Sequence, residues 1–224
     1  MRIGICGVDS EIALNSSGVE WVDQREAELL VTVGEAALAD CAARGESRPI
    51  VALELPSPLS PNREQLAEIL QRLPAEPPTV EVRPLSVTAG GNTSTAVFDT
   101  TLVTSEPARI SEYALTVDDR THAEFRADGV VVATPLGSSG YGRTTGGPLL
   151  EPGTGVAVVP IAPFATHTDT WVLEPPLSIR VQRDDSVTVF ADTTQLAVGV
   201  TPLTTDVTYQ QPLSIVDTRG LVSP

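Results

Sequence analysis

A loop of small and hydroxylated residues follows an apolar run near the middle of the chain. The acidic turn Asp128-Gly129 precedes the apolar run Val130–Ala133, and Thr134–Tyr141 forms the loop. Hydroxyl groups and backbone amides donate and accept hydrogen bonds without adding charge. Gly137 and Gly140 lack side chains, so a ligand can approach the backbone there. The pattern predicts a buried strand that ends at the edge of a pocket, although an ordinary strand with a tight turn also fits it.

A second candidate is the turn Gly34-Glu35, which places a carboxylate directly after the predicted strand Glu28–Val33. Strong helix formers follow in Ala36–Ala43. In open α/β sheets, ligands bind at the carboxyl ends of the strands. The sequence therefore predicts a ligand crevice near this turn.

The elements around that turn alternate between strands and helices. Further strands are predicted at Met1–Gly7 and Pro49–Leu53, and a second helix, capped by Ser60 or Asn62, runs through Leu73. This alternation is typical of parallel α/β units. We therefore expect a small Rossmann-like α/β domain over residues 1–78, closed by the proline-rich segment 74–78.

Residues 79–224 have a different character, with many β-branched residues and frequent turn signals. This pattern predicts an all-β sandwich, and hence an α+β, two-domain chain. The one predicted helix in this part is 140–146. Its predicted strands are 95–104, 110–117, 122–126, 129–133, 156–160, 177–181, 186–191 and 195–201.

The composition excludes some partners and suggests a source. The 224 residues include 29 acidic and 14 basic side chains, every basic one is arginine, and the net charge is −15. Such a chain repels the phosphates of nucleic acids and anionic membranes. An acidic surface without lysine suits a cytoplasm of very high salt, which screens self-repulsion. We expect a cytoplasmic, halophilic protein that binds neither nucleic acid nor membrane.

The cysteines and histidines do not form a metal pattern. Cys6 and Cys41 lie in apolar stretches without Cys-x-x-Cys spacing, and His122 and His167 are far apart in sequence. We therefore expect two free buried thiols and no metal bound by the protein.

The second half resembles the NAD kinase family. The family signature is Asp-Gly, an apolar strand, Thr-Pro-Thr-Gly-Ser-Thr-Ala-Tyr and Gly-Gly-Pro. Here it stands as Asp128-Gly129, a strand, Thr134–Tyr141 and Gly146-Gly147-Pro148. Val159–Pro163 and Phe190-Ala191-Asp192 are similar to the family's next strands. The matches run in order over roughly residues 95–200.

The resemblance implies an α/β domain followed by an all-β domain, as the residues also predict. It implies transfer of a phosphate from ATP or polyphosphate, with Mg²⁺ carried in by the donor, to the 2′-hydroxyl of the adenosine ribose of NAD. It also implies that β domains pack together in a homo-oligomer, a neighbouring subunit completing the dinucleotide site. The implied NAD or NADP contacts are Asp99, Asp128, Gly129, Thr134, Gly137, Ser138, Ser139 and Tyr141.

Asp128 has two interpretations under the resemblance. Its carboxylate can accept a hydrogen bond from a ribose hydroxyl or a nicotinamide amide. Alternatively, it is an aspartate that forms a turn before Gly129.

The chain departs from the family pattern mainly in its first half. The family's catalytic Gly-Gly-Asp-Gly corresponds to Val33-Gly34-Glu35-Ala36, so Glu35 is the candidate base and Gly34 the phosphate-donor contact. An added Cβ obstructs close approach of a phosphate to the backbone. The family's Asn-Glu or Asn-Asp pair reads Phe98-Asp99, and Leu136 and Gly140 replace Thr and Ala in the loop.

Three functions remain open at this stage. The first is a relative that binds NAD, NADP or another adenine nucleotide with weak or lost kinase activity, or that is the inactive partner of an active paralogue. The second is an active, divergent NAD kinase that uses Glu35 as its base. The third is a family fold without a nucleotide site.

Overall fold

The computed structural model describes residues 1–7, 19–104, 110–165, 168–183, 186–199 and 202–221; His167 and the end of the strand predicted at 195–201 lie outside them. The chain divides into two compact units. The first comprises Met1–Val82 with Gln211–Pro224, and the second comprises Arg83–Gln210. None of the helices in the described ranges has the length and apolarity to cross a membrane.

The first unit is built on one six-stranded sheet. Its strands are β1 (Arg2–Cys6), β2 (Glu20–Trp21), β3 (Leu29–Val33), β4 (Ile50–Leu53), β5 (Thr79–Val82) and β18 (Leu213–Val216). The spatial order is β2-β1-β3-β4-β18-β5, and the pairs β1–β3 and β3–β4 are parallel as predicted. The strand β2, which was not predicted, also pairs in parallel with β1. The carboxyl ends of these parallel strands therefore share one edge of the sheet.

Two helices accompany this sheet, α1 (Gly34–Ala43) and α2 (Leu66–Arg72). The residues of α1 that are buried are Ala37, Leu38, Cys41 and Ala42, which lie at helical spacing. A 3₁₀ turn, Arg63–Gln65, precedes α2, and Asn62 caps it through a reciprocal capping box with Gln65. Of the two predicted caps, Asn62 is the one used. The hydroxyl of Ser60 instead donates to the Ala52 carbonyl at 2.8 Å.

The C-terminal segment returns to the first unit. Leu213–Val216 pairs in parallel with β4 and antiparallel with β5, so it is an interior strand of the first sheet. The domain division drawn from sequence assigned it to the β domain. The difference arises because a short apolar strand reads the same in either domain, and only its distant partners determine which sheet it joins.

The second unit is a sandwich of two six-stranded sheets. The first has the order β10-β9-β14-β17-β6-β7, formed by β6 (Leu85–Ala89), β7 (Asn92–Ala96), β9 (Ser111–Val117), β10 (Arg120–Ala127), β14 (Leu177–Arg183) and β17 (Leu203–Tyr209). The second has the order β13-β12-β11-β8-β15-β16, formed by β8 (Asp99–Thr104), β11 (Gly129–Ala133), β12 (Val156–Ile161), β13 (Trp171–Leu173), β15 (Val187–Ala191) and β16 (Thr194–Gly199). One apolar core includes side chains of both sheets. The predicted α+β fold class with its β-sandwich is confirmed.

The loop after β11 contains a 3₁₀ turn, Gly137–Ser139, and a short helix, α3 (Tyr141–Thr144), near the predicted helix at 140–146. The strand predicted at 95–104 is two strands, because the chain turns a corner at Val97-Phe98 between β7 and β8. That corner is where the candidate site begins.

Candidate functional site

The corner between β7 and β8 is bonded to the start of the Thr134–Tyr141 loop. Asp99, the first residue of β8, is opposite Ala133, the last residue of β11. The backbone N–H of Thr134 then donates to the Phe98 carbonyl at 2.8 Å. The Thr134 hydroxyl, which is fully buried, donates to the Val97 carbonyl at 2.7 Å. Two predicted contact residues, Asp99 and Thr134, thus lie side by side at one end of the sheet.

Gly137 holds the loop against the same corner. A Cβ added to Gly137 would lie 2.0 Å from the carbonyl oxygen of Phe98 and 2.5 Å from its carbonyl carbon. The Gly137 N–H also donates to the Thr134 hydroxyl at 3.3 Å. The glycine is therefore required by packing within the protein. The approach of a ligand to its backbone stays a prediction.

Ser138 is likewise engaged inside the loop. Its hydroxyl donates to the Pro135 carbonyl at 2.7 Å and accepts from the Leu150 N–H at 3.0 Å. The residue is 1% exposed. The hydroxyls of Thr134 and Ser138 therefore bond within the protein and stabilise the loop.

Three predicted contact residues have more accessible side chains. Asp99 and Ser139 are half-buried, and Tyr141 is 46% exposed. One carboxylate oxygen of Asp99 accepts from the Thr101 hydroxyl at 3.0 Å, which orients the carboxylate. This end of the sheet thus combines a carboxylate, a hydroxyl and an aromatic ring, groups able to bind a sugar and a heterocycle.

Asp192 contributes to this site although the sequence suggested no role for it. It lies in the turn between β15 and β16, with φ of 49°. Its carboxylate accepts from the backbone N–H groups of Val97, Phe98 and Asp99 at 2.8, 2.8 and 3.1 Å. Burial raises the pKa of Asp192, and these three N–H donors oppose that rise. Asp192 therefore fixes the backbone that precedes Asp99.

Asp128 and Gly129 lie at the opposite end of β11. The N–H of Asp128 donates to the Ile161 carbonyl at 3.0 Å, and its carbonyl accepts from Thr104 at 3.1 Å. A strand advances about 3.4 Å per residue, so the five residues of β11 separate Asp128 from Thr134 by roughly 17–20 Å. Every residue of β11 is buried. The structure therefore does not bring Asp128 together with the loop within one copy of the chain.

In the first unit, Gly34 and Glu35 are where β3 passes into α1. Gly34 has φ of +76°, a conformation that favours glycine, and a Cβ added there would meet nothing within 4 Å. Glu35 lies in the first turn of α1 and is exposed. The turn is open to solvent, with a single carboxylate at its start.

Comparison with known proteins identifies the second unit. A family model, the ATP-NAD kinase C-terminal domain, matches residues 99–206. Residues 99–206 belong to the NAD kinase family, as its C-terminal domain. The matched segment begins at Asp99 and contains each predicted dinucleotide contact together with Asp192.

Curated NAD kinases are also similar to part of this chain. The NAD kinase of Methanosarcina acetivorans is 38% identical over 92 residues, covering 41% of this chain and 34% of its own length. The NAD kinase of Methanothermobacter thermautotrophicus is 35% identical over 99 residues, covering 44% of this chain and 35% of its own length. The chain thus spans about a third of the length of these relatives.

Solved structures show the same fold over nearly the whole NAD kinase-like chain. An NAD kinase from Archaeoglobus fulgidus in complex with ATP has a TM-score of 0.75 at 21% identity, covering 98% of this chain and 95% of its own. A yeast NADH kinase complexed with NADH has a TM-score of 0.75 at 15% identity, covering 96% and 83%. The fold therefore extends to the first unit.

Proposed function

We propose that this chain binds an adenine dinucleotide, NAD or NADP, and that its phosphotransfer activity is weak or lost. The observation that carries the proposal is the hydrogen-bonded corner where β8 starts and β11 ends. There Asp192, Thr134 and Gly137 hold the backbone at Phe98 from three directions. Such bonding preorganises the neighbouring Asp99, and preorganised groups bind a ligand at lower entropic cost.

The turn after β3 supports the second half of the proposal. In the family motif that we matched to it, glycines surround the catalytic aspartate. Here Ala36 and Ala37 follow Glu35 within α1, and Ala37 is buried in the first unit. Phosphoryl transfer depends on close positioning and on neutralising the phosphate charges. A lone exposed glutamate followed by alanines supplies little of either.

The alternative is an active, divergent NAD kinase that uses ATP or polyphosphate with Mg²⁺ carried by the donor. Glu35 retains a carboxylate on an exposed turn, and Gly34 retains the positive φ of a tight turn. A carboxylate within hydrogen-bond reach of the 2′-hydroxyl can act as the base. This alternative makes Glu35 essential for turnover.

One experiment on the full chain in molar KCl distinguishes the two functions. Calorimetry measures binding of NAD and NADP, and an enzymatic assay measures NADP formed with ATP or polyphosphate. We expect saturable binding and turnover at least about 100-fold below that of an active NAD kinase assayed in parallel, because small misplacements of catalytic groups cost that much.

That experiment has four outcomes, of which three would contradict the proposal. The active enzyme is supported if turnover is fast and Glu35→Gln abolishes it. Glu26→Gln, the control at an exposed glutamate, should then leave turnover intact. Binding without turnover supports the proposal. Fast turnover insensitive to Glu35→Gln would contradict both the proposal and the role of Glu35, and no binding of any adenine nucleotide would leave a fold without a nucleotide site.

We also propose that a second copy of the chain completes the dinucleotide site. The support is the separation of Asp128 from the loop at Thr134 by the buried strand β11. A ligand cannot run along a strand whose two faces are packed in the protein. Asp128 of one copy would then serve the loop of another.

Mixing variants tests this arrangement. Asp99→Asn and Asp128→Asn should each weaken NAD binding. In a random mixture of the two variants, about half of the symmetric dimers contain one copy of each, and one of the two sites in such a dimer has both native aspartates. About a quarter of all sites should therefore recover NAD binding. Calorimetry of the two variants unfolded and refolded together measures this recovery. No recovery, or a monomer by light scattering, would contradict the shared site.

A further inference from the structure

The two cysteines of the first unit lie together against one arginine. Cys6 is the last residue of β1, and Cys41 lies in α1; they are 2% and 0% exposed. The Nη2 atom of Arg44 is 4.0 Å from the sulfur of Cys6 and 3.5 Å from the sulfur of Cys41. A single guanidinium nitrogen therefore contacts both thiols.

A second arginine adds positive charge to the same place. Arg48 lies close enough to Cys6 for its charge to stabilise the thiolate. Its side chain is fixed by Glu46, with Nη2 2.6 Å from Oε2, and by a bond from Nη1 to the Ala27 carbonyl at 3.0 Å. The chain has 29 acidic and 14 basic residues, so two arginines beside two thiols are an exception to its acidic composition. Electropositive surroundings of this kind are typical of reactive cysteines.

The two thiols differ in acidity. A hydrogen bond from Cys41, together with the charges of Arg44 and Arg48, lowers the pKa of Cys6 to about 7, although burial and the charge of Glu46 oppose this. The same hydrogen bond to Cys6, with burial, raises the pKa of Cys41. Near neutral pH, Cys6 is thus suited to be the nucleophile, and Cys41 keeps its proton.

We propose that Cys6 and Cys41 form a redox-active dithiol that a small peroxide oxidises to an intramolecular disulfide. The Cys6 thiolate attacks hydrogen peroxide, the O–O bond breaks, and Cys6 becomes a sulfenic acid while the released hydroxide takes up a proton to give water. The Cys41 sulfur then attacks the sulfenic sulfur. The S–S bond forms, and the sulfenic hydroxyl leaves with the Cys41 proton as a second water.

Two features favour oxidation over other uses of the pair. Within the described ranges, no group of three His, Cys, Asp or Glu side chains is placed to hold a metal ion, and the guanidinium at the sulfurs disfavours a cation. The neighbours Gly7 and Arg44 are exposed, so the thiols lie just beneath the surface. A molecule as small as hydrogen peroxide needs only a slight movement of Arg44 to reach Cys6.

Mass spectrometry of the full chain tests the proposal. The native protein in molar KCl is treated with hydrogen peroxide, quenched, unfolded in urea and alkylated with iodoacetamide. We expect two alkylated cysteines before peroxide, and after it none, with a loss of two hydrogen atoms and a cross-linked peptide pair. Arg44→Gln should slow the reaction at pH 7 several-fold, and the exposed control Arg25→Gln should not.

Two results would overturn the proposal. One is that both cysteines remain open to alkylation after peroxide has oxidised glutathione in the same tube. The other is a disulfide between two chains on a non-reducing gel. In Cys41→Ser, peroxide should leave a sulfenic acid on Cys6 that dimedone traps, and a folded variant without this adduct would overturn the assigned order of attack.

Discussion

Replacing Gly137 by alanine should strongly destabilise the β domain. The added Cβ would lie 2.0 Å from the Phe98 carbonyl oxygen, a backbone atom that cannot turn aside like a side chain. Overpacking in a core costs about 1–3 kcal/mol, and a collision with backbone belongs at the top of that range or above it. We expect the free energy of unfolding to fall by about 3 kcal/mol, measured by urea denaturation in molar KCl.

Gly220→Ala is the matched control for this substitution. Gly220 also has no positive φ, and a Cβ added there meets nothing within 4 Å, so stability should change by less than about 0.5 kcal/mol. If Gly137→Ala were as stable as this control, the loop would not pack against Phe98 as described. Where the variant folds at low temperature, NAD binding should also weaken, because the loop must move away from Asp99.

Replacing Asp192 by alanine should have a similar effect for a different reason. Its carboxylate accepts three backbone N–H groups, at 2.8, 2.8 and 3.1 Å, and alanine leaves all three without this partner. Hydrogen bonds to charged groups contribute about 1.5–3 kcal/mol each. Burial raises the pKa of Asp192 and so offsets part of this sum. We expect a loss of about 3 kcal/mol in the free energy of unfolding.

Asp118→Ala separates the lost hydrogen bonds from the cost of the backbone conformation. Both aspartates have φ of 49°, but Asp118 is exposed in the turn between β9 and β10. Both alanine variants suffer the same penalty for a left-handed conformation. Asp192→Ala should therefore be less stable than Asp118→Ala by about 2 kcal/mol or more. Equal stabilities would show that the three hydrogen bonds contribute nothing.

Local patterns were sufficient for most of the elements around the site. The strand Gly129–Ala133 has the predicted limits because turn residues flank a continuous β-branched run. The helix after Gly34 and the cap at Asn62 follow from residues within one or two turns of each other. The α+β class follows from the same local signals, taken in order along the chain.

Strands whose burial depends on distant partners were missed. Leu203–Tyr209 alternates buried and exposed residues, yet its many threonines resemble the loops on either side. The break at Val97-Phe98 was also missed, because the residues there are as apolar and β-branched as those of a continuous strand. The carboxylate that accepts from the backbone at that corner belongs to Asp192, which lies more than ninety positions further along the chain.

By itself, the sequence determined the family of the second half and the residue types at its candidate site, since both reside in a contiguous motif. The tertiary structure alone decided how those residues are used. It buried the hydroxyls of Thr134 and Ser138, made Gly137 a packing position, and placed Asp128 at the far end of β11. The physical reason is that hydrogen bonds and close packing join segments distant along the chain, and residue type does not specify those partners.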